Sequence, residues 1–383
     1  MAEFGVSDAL KGAEEALPEG RLAAQLECGE PLRVKFGIDP TAPDIHLGHC
    51  VPLIKLAQFQ QAGHTAVLIV GDYTARVGDP SGRSGERPLL SAEQIDANAA
   101  TFQDQAFKVL DRDRTEVRFN SEWLEMPVQD LLGLLAGVTV AQLLERDDFA
   151  KRMAAGQPVS ALELLYPVMQ GFDSVAVSAD LELGGTDQKF NLLFARDIQA
   201  GHGQAPQSVL TMPILPGLDG VQRMSKSLGN YIGVTDAPEE MFGKLMSIPD
   251  QLMPAYYRLL LLEDPPAAAA VEAKRELARR IVARFHQPEA AEAAEAAFDR
   301  LHVRHELPED VAEFVVEDAQ VHMPALIAAA FDVSSSEARR LLQQGGVKLD
   351  GHPLAGEPLD RPCGELIGRV MQVGKRRFVR LTG

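Results

Sequence analysis

The sequence predicts an α/β protein built on a parallel, doubly wound sheet, followed by an α-helical part and a small α+β module. Three observations carry that expectation. Short apolar, β-branched runs alternate with helical stretches as far as about residue 215. Beyond Tyr231 strand-like runs largely stop, and Ala/Glu/Arg-rich composition takes over. From about residue 320 the character changes again, to strand-like segments with a basic end.

The strands expected are LRVKFGI (32–38), TAVLIVG (65–71), SVAVSADLEL (174–183) and SVLTMPIL (208–215). Between the first two, Cys50, Val51, Ile54 and Ala57 keep helical spacing, and Gly63 supplies a stop. Pro52 lacks an N–H and is tolerated only near a helix start, which places that start near Gly48 or His49. Residues 90–165 are largely helical in pattern and read as an insertion between two halves of the sheet. AAAAVEAKRELARRIVARF (267–285) and PEAAEAAEAAFDRL (288–301) have plain helix-forming composition.

With 383 residues, 46% of them hydrophobic, the chain can fill at least one substantial core, and two or three domains are expected. Cys28, Cys50 and Cys363 are far apart, odd in number and without CxxC spacing, which indicates neither a disulfide framework nor a zinc ribbon and fits a reducing, cytoplasmic setting. The opening MAEFGVSDALKGAEEAL has neither basic flank nor apolar core, and no apolar run reaches about 18 residues, so neither secretion nor membrane insertion is expected. A net charge of −18 opposes general attraction to nucleic acid. The exception is the end, where Arg361, Arg369, Lys375, Arg376, Arg377 and Arg380 face the single acid Glu365; any RNA contact should use it.

FGIDPTAPDIHLGHC (36–50) carries chemistry. A helix starting just after His46 points unsatisfied N–H groups outward and makes an anion site. Gly48 lets a bulky ligand approach, while His46, His49 and Thr41 can donate hydrogen bonds to phosphate oxygens. Alone, HxxH is more often a packed or zinc-linked pair, although no nearby Cys or His supplies a third ligand. GVQRMSKSLGN (220–230) offers Lys226 to a polyphosphate, or is a solvated turn. GDPSGRSGER lacks GxxxxGK(S/T), which rejects a Walker A loop; Arg83 and Arg87 reach phosphates or solvent. YPVMQGFD sets Tyr166, Gln170 and Asp173 on one helical face.

HLGH at 46–49 and RMSKS at 223–227 resemble the HIGH and KMSKS signatures of the class I aminoacyl-tRNA synthetases. DPTAPDIHLGH, GDPSGR (78–83), YPVMQGFD (166–173) and GGTDQKFN (184–191) make the chain most similar to the bacterial tyrosyl-tRNA synthetase family, over essentially its whole length. The resemblance implies a Rossmann-like catalytic domain (1–230) whose insertion (about 90–165) forms a homodimer interface. An α-helical anticodon-region domain (231–318) and an RNA-binding module (319–383), like that of a small-subunit ribosomal protein, would follow. It implies activation of L-tyrosine with ATP and transfer to the 3′ end of tRNA(Tyr).

The same resemblance assigns catalysis to Thr41, His46, His49 and Lys226. ATP would be bound by Gly37, Asp39, Gly48, Gly184, Gly185, Asp187, Met224, Ser225 and Ser227. Asp79, Tyr166 and Gln170 would hold the tyrosine ammonium, Asp173 its phenolic hydroxyl, and Gln188 would face the amino acid. RNA would meet Arg339, Arg340, Lys348, Lys375, Arg376 and Arg377. Mg²⁺ would arrive on ATP, with no protein metal cage and no tightly bound cofactor. Three positions depart from better-known members: Lys35 stands where many have a hydroxyl-binding tyrosine, Glu182 replaces a glutamine, and Arg223 replaces a lysine. Two rivals are an RNA-binding descendant without catalysis, opposed by the intact signatures, and another adenylating enzyme such as a tryptophanyl enzyme or small-acid ligase, opposed by the pocket residues.

Overall fold

Strands β2 (Arg33–Ile38) and β3 (Thr65–Val70) are apolar and buried over most of their length, as parallel strands covered on both faces must be. They lie at the centre of the protein's first unit in a computed structural model, which describes residues 4–81, 90–304, 311–316, 318–374 and 377–383. The chain divides into two compact units, Met1–Ala291 and Glu292–Gly383.

The six-stranded sheet of the first unit has the order β1-β6-β5-β2-β3-β4, with β1 Glu15–Leu17, β4 Thr115–Phe119, β5 Leu181–Gly185 and β6 Ser208–Met212. All neighbours pair in parallel except β1, which runs antiparallel to β6 at one edge. The chain lays down β2, β3 and β4 in one direction and then returns to place β5 on the other side of β2. That reversal opens a crevice at the carboxyl ends of β2 and β5, where doubly wound sheets bind ligands.

The expected alternation is present, with three corrections. Residues 174–176 close a helix, so the strand expected over 174–183 is confined to Leu181–Gly185; the apolar valines there pack a helix end. The segment 90–165 is not wholly helical, because β4 extends the sheet beside β3. Its half-buried, charge-bearing residues hide the strand from a hydrophobicity reading. β1 was also missed, being too short to show a period.

Helix α1 (Leu47–Gln61) begins one to two residues before the expected start, with His46 as N-cap. Pro52 therefore sits a turn inside and forgoes one bond at that end. The helix is buried nearly all round, with Leu53, Leu56 and Phe59 at 0% exposure; each such side chain contributes about 1.5–3 kcal/mol. Further on come α2 (Ala92–Ala106), α3 (Val128–Leu135), α4 (Val140–Leu144), α5 (Asp147–Ala154), α6 (Ala161–Ala176) and α7 (Lys189–Gly201). The helices expected at 267–285 and 288–301 are α9 (Ala270–Phe285), after α8 (Pro238–Ser247), and α10 (Pro288–His302).

The second unit contains a five-stranded sheet of Glu313–Val315, Val347–Leu349, His352–Pro353, Val370–Val373 and Arg377–Thr382. Helices α11 (Met323–Phe331) and α12 (Ser335–Gln343) bury Ile327, Ala338 and Leu342 in one cluster with Val347, Met371 and Leu381.

Candidate active site

A cavity of about 840 Å³ occupies the crevice. Thr41, His46, His49, Lys226, Gly37, Asp39, Gly48, Gly184, Gly185, Asp187, Met224, Ser225, Asp79, Tyr166, Gln170, Asp173 and Gln188 all line it. Of the cavity residues expected from the sequence, only Ser227 is unplaced, its side chain lying outside what the structure describes. Arg83 and Arg87 also lie outside the described residues.

Far-apart motifs meet here because the backbone pairs them. Leu47 N–H donates to Ile232 O at 3.0 Å and Val234 N–H to Ile45 O at 3.0 Å, which clamps HLGH beside the segment following RMSKS. The His46 and His49 rings stack, centroids 3.8 Å apart. A Cβ on residue 48 would stand 3.0 Å from the His46 ring, so any other residue there would press on the stacked ring. Burial pushes His49 down to about 4 and His46 lower still, so both rings are neutral at pH 7. The His46 backbone N–H donates to His49 Nδ1 at 3.3 Å, which leaves the His49 proton on Nε2. His46 Nδ1 is buried with no partner. Lys226 Nζ is hydrogen-bonded to Asp44, and Arg223 Nη1 lies 3.5 Å from Asp187 Oδ2. Both cations of the second motif thus stand over the cavity on carboxylate partners.

At the other end the lining turns acidic. Tyr166 OH donates to Asp39 Oδ2 at 2.9 Å and Thr74 Oγ1 to Asp39 Oδ1 at 2.8 Å. This groups Asp39 with the polar face of α6 rather than with the histidines. Gly71 makes room: a Cβ there would fall 2.1 Å from Asp39 Oδ1. Asp79 Oδ2 accepts from Gln188 Nε2 at 2.7 Å. Asp173 accepts from Trp123 Nε1 at 2.8 Å and Asn120 Nδ2 at 3.4 Å.

Beneath that face lies a buried ion pair. Lys35 and Glu182 are register partners on β2 and β5, 2.8 Å apart and essentially unexposed. Lys35 Nζ also donates to Ser174 Oγ at 2.8 Å and Gln170 O at 3.1 Å, so its three protons have three acceptors. Lys35 does not line the cavity. The two unusual residues neutralise each other and anchor α6, while Gln170 Oε1 remains buried without a donor.

Burial raises Asp39 to about 7 against Thr74 and Tyr166, and raises Asp173 to about 7 against Lys35, Trp123 and Asn120. Both values lie above the ordinary 3.8, so folding takes up protons between the two. The associated stability is complete below pH 3.8 and is lost as pH rises through about 7. The ligand-free protein should therefore melt at a lower temperature at pH 8 than at pH 5, and the gap should shrink in an Asp39→Asn/Asp173→Asn variant. An equal gap in calorimetry of the two proteins would remove these carboxyls as its cause.

Among the described residues, no group of three or more His, Cys, Asp or Glu is arranged to hold a metal ion. Asn120, Trp123 and Thr74 were not expected from the sequence. Trp123 is the only tryptophan, yet it sits in a short helix with no periodic signal. In the second unit Arg339 and Arg340 lie exposed on α12, Lys348 is half-buried on its strand, and Arg377 is exposed at a strand start. Arg340 is paired with Glu337 at 2.5 Å and Arg377 donates to Phe331 O at 3.1 Å. Lys375 and Arg376 lie outside the described residues.

A family model described as tRNA synthetases class I (W and Y) matches residues 27–303. The chain is 50% identical to the tyrosine–tRNA ligase of Moorella thermoacetica, over 97% of this chain and 94% of that protein. It is 47% identical to tyrosine–tRNA ligase 2 of Vibrio parahaemolyticus, over 99% and 98%. Among solved structures it is similar to the tyrosyl-tRNA synthetase of Archaeoglobus fulgidus complexed with L-tyrosine, with TM-score 0.57, 26% identity, and coverage of 76% of this chain and 93% of that one. The fold is also that of a C-terminally truncated mitochondrial tyrosyl-tRNA synthetase of Coccidioides posadasii, with TM-score 0.62, 21% identity, and coverage of 76% and 90%.

Proposed function

The chain belongs to the class I tRNA synthetases of the tryptophan and tyrosine type, and from that premise we infer that it is an ATP-dependent tyrosine–tRNA ligase. It joins L-tyrosine to ATP as tyrosyl-adenylate and transfers the tyrosine to the 3′ end of tRNA(Tyr). The observation that carries this reading is one cavity with neutral histidines and carboxylate-paired cations at one end and an acidic pocket around Asp39, Asp79 and Asp173 at the other.

The chemistry needs placement and charge stabilisation, with no covalent enzyme intermediate. Asp39, Asp79, Tyr166 and the unpartnered Gln170 Oε1 meet the ammonium of tyrosine, and Asp173 accepts from its phenolic hydroxyl. Gly37, Gly48, Gly184, Gly185, Met224 and Ser225 border the nucleotide, and Asp187 takes the ribose. The substrate carboxylate attacks the α-phosphorus, and the bond to pyrophosphate breaks. Charge growing on the leaving phosphates is met by N–H donors of His46 and His49, the Thr41 hydroxyl and Lys226, which exchanges Asp44 for phosphate. A ribose hydroxyl of the tRNA then attacks the adenylate carbonyl and AMP leaves. Asp39, Asp79 and Asp173 already accept from side-chain donors, so Mg²⁺ would be held by the ATP phosphates and would offset their charge.

Residues 1–230 are read as the catalytic domain, 231–318 as the anticodon-region domain and 319–383 as the tRNA-binding module. No helix among the described residues is long and apolar enough to cross a membrane, and the reading places the enzyme in the cytoplasm. Val128, Leu132 and Val140 expose apolar side chains at 71%, 62% and 61%, which supports a homodimer through the insertion; a sedimentation mass of one 41.5 kDa chain would remove that element.

Amino-acid-dependent ATP–pyrophosphate exchange tests the reading: tyrosine alone among the twenty amino acids should support it. Exchange with tryptophan, or none from folded protein, would overturn the assignment. Deleting residues 319–383 should leave that exchange within about twofold while lowering kcat/KM for tRNA charging at least about 10²-fold, as phosphate contacts are lost. Equal charging by the shortened protein would refute the role of the module.

A further inference from the structure

Arg146 has no part in the roles described so far, yet it is buried at 4% exposure behind the amino-acid end of the cavity. It caps the start of α5 within the helical insertion. Its guanidinium spreads over separate partners: Nη1 donates to Asn191 Oδ1 at 3.1 Å, Nη2 to Ser81 Oγ at 2.7 Å and Nε to Asp148 Oδ1 at 2.7 Å. Its face lies 5.0 Å from the Phe149 ring.

Two of these partners lead to the substrate pocket. Asn191 Nδ2 donates to Gln188 Oε1 at 3.1 Å, and Gln188 Nε2 donates to Asp79 Oδ2 at 2.7 Å. On the other side the Ser81 N–H donates to Asp79 Oδ1 at 2.9 Å, and Arg146 Nη2 itself lies 3.8 Å from that oxygen. The contacts close a ring from Arg146 through Asn191, Gln188, Asp79 and Ser81 back to Arg146. Asp79 and Gln188 line the cavity, while Arg146, Asn191 and Ser81 do not.

We propose that Arg146 is a positioning residue for tyrosine recognition: it fixes the direction of every amide in this ring and so holds Asp79 and Gln188 in their substrate-binding orientation. The reason is donor arithmetic. An arginine can only donate, so Asn191 must turn its oxygen toward Arg146 and its NH₂ toward Gln188. Gln188 must then turn its oxygen to Asn191 and its NH₂ to Asp79, which as a carboxylate can only accept. A donor-only group at one end and an acceptor-only group at the other leave one orientation for both amides. Lysine lacks the planar fork that reaches partners in three directions.

The proposal rests on the tyrosine–tRNA ligase reading, and the two can fail separately. Tyrosine-dependent pyrophosphate exchange is measured for the wild type, Arg146→Met, Arg146→Lys, Gln188→Ala and the Arg146→Met/Gln188→Ala pair, with melting temperatures for each. No exchange by the folded wild type would strike the reading itself. With wild-type exchange present, Arg146→Met should raise the tyrosine KM by about 10- to 100-fold, with the ATP KM within about twofold, because misplacement by about 1 Å has effects of that size. Arg146→Lys should recover part of the loss. If Arg146 acts through the ring, the paired variant should be no worse for tyrosine KM than Gln188→Ala alone.

An unchanged tyrosine KM in Arg146→Met would overturn the proposal. So would equal increases for tyrosine and ATP, or full additivity in the pair, since those outcomes describe a merely structural arginine. Should Arg146→Met fail to fold, Arg146→Lys against Gln188→Ala decides by the same criteria.

Discussion

Asp173→Asn is expected to lower kcat/KM for tyrosine in pyrophosphate exchange by about 10²–10⁴, with the ATP KM changed less than about twofold. Asp173 is 4% exposed and already accepts from Trp123 and Asn120, so the lone pairs left on the cavity side are those proposed to meet the substrate hydroxyl. Losing a hydrogen bond to a charged acceptor costs about 1.5–3 kcal/mol and leaving buried donors facing each other about 1–3 kcal/mol more, and each decade of rate corresponds to about 1.4 kcal/mol. The isosteric amide retains an acceptor for Trp123 but turns its NH₂ toward Asn120 Nδ2, itself a donor. Discrimination against phenylalanine should narrow, because the wild-type carboxylate is stranded when no hydroxyl arrives. The same change removes a carboxyl that burial has raised to about 7, so at pH 8 the ligand-free variant should melt higher than the parent. An unaltered tyrosine KM in Asp173→Asn would move hydroxyl recognition elsewhere.

His49→Ala should slow adenylate formation by about 10²–10³, the scale for one preorganised donor, and leave the tyrosine KM nearly unchanged. Burial holds the imidazole neutral, and the His46 backbone N–H fixes its tautomer, so the proton on Nε2 is the one available to a phosphate oxygen. The acidic pocket around Asp39, Asp79 and Asp173 does not depend on that ring. Single-turnover adenylate formation at saturating substrates separates the effects: a full rate with His49→Ala would exclude the donor role, and a raised tyrosine KM would place His49 in binding instead.

The parallel strands 32–38 and 65–71 were legible because strands covered on both faces are apolar over most of their length, Lys35 being the buried exception that Glu182 pairs. The polar face of α6 was legible as Tyr166, Gln170 and Asp173 at helical spacing. β4 was not, since it shows a half-buried face with charges that belong to ion pairs of Arg33 with Glu116 and Arg118 with Glu122. The strand at 181–185 was placed too early because valines at a buried helix end look like valines in a strand. The resemblance groups Asp39 with the nucleotide; its hydrogen bonds from Tyr166 and Thr74, which come from other elements, could not be read from residue order.

By itself the sequence determined the chemistry-bearing segments, since a helix start, a glycine that admits a ligand and a helical face of polar groups are local consequences of residue order. Only the tertiary structure decided which of those groups face each other. The pairing of Lys35 with Glu182, the donors on Asp173 and the contacts of Arg146 with Asn191 and Ser81 join residues from 45 to 147 positions apart in contacts of about 3 Å, within the hydrogen-bond range. Such contacts form when strands register and helices dock, and no local pattern of side chains encodes them.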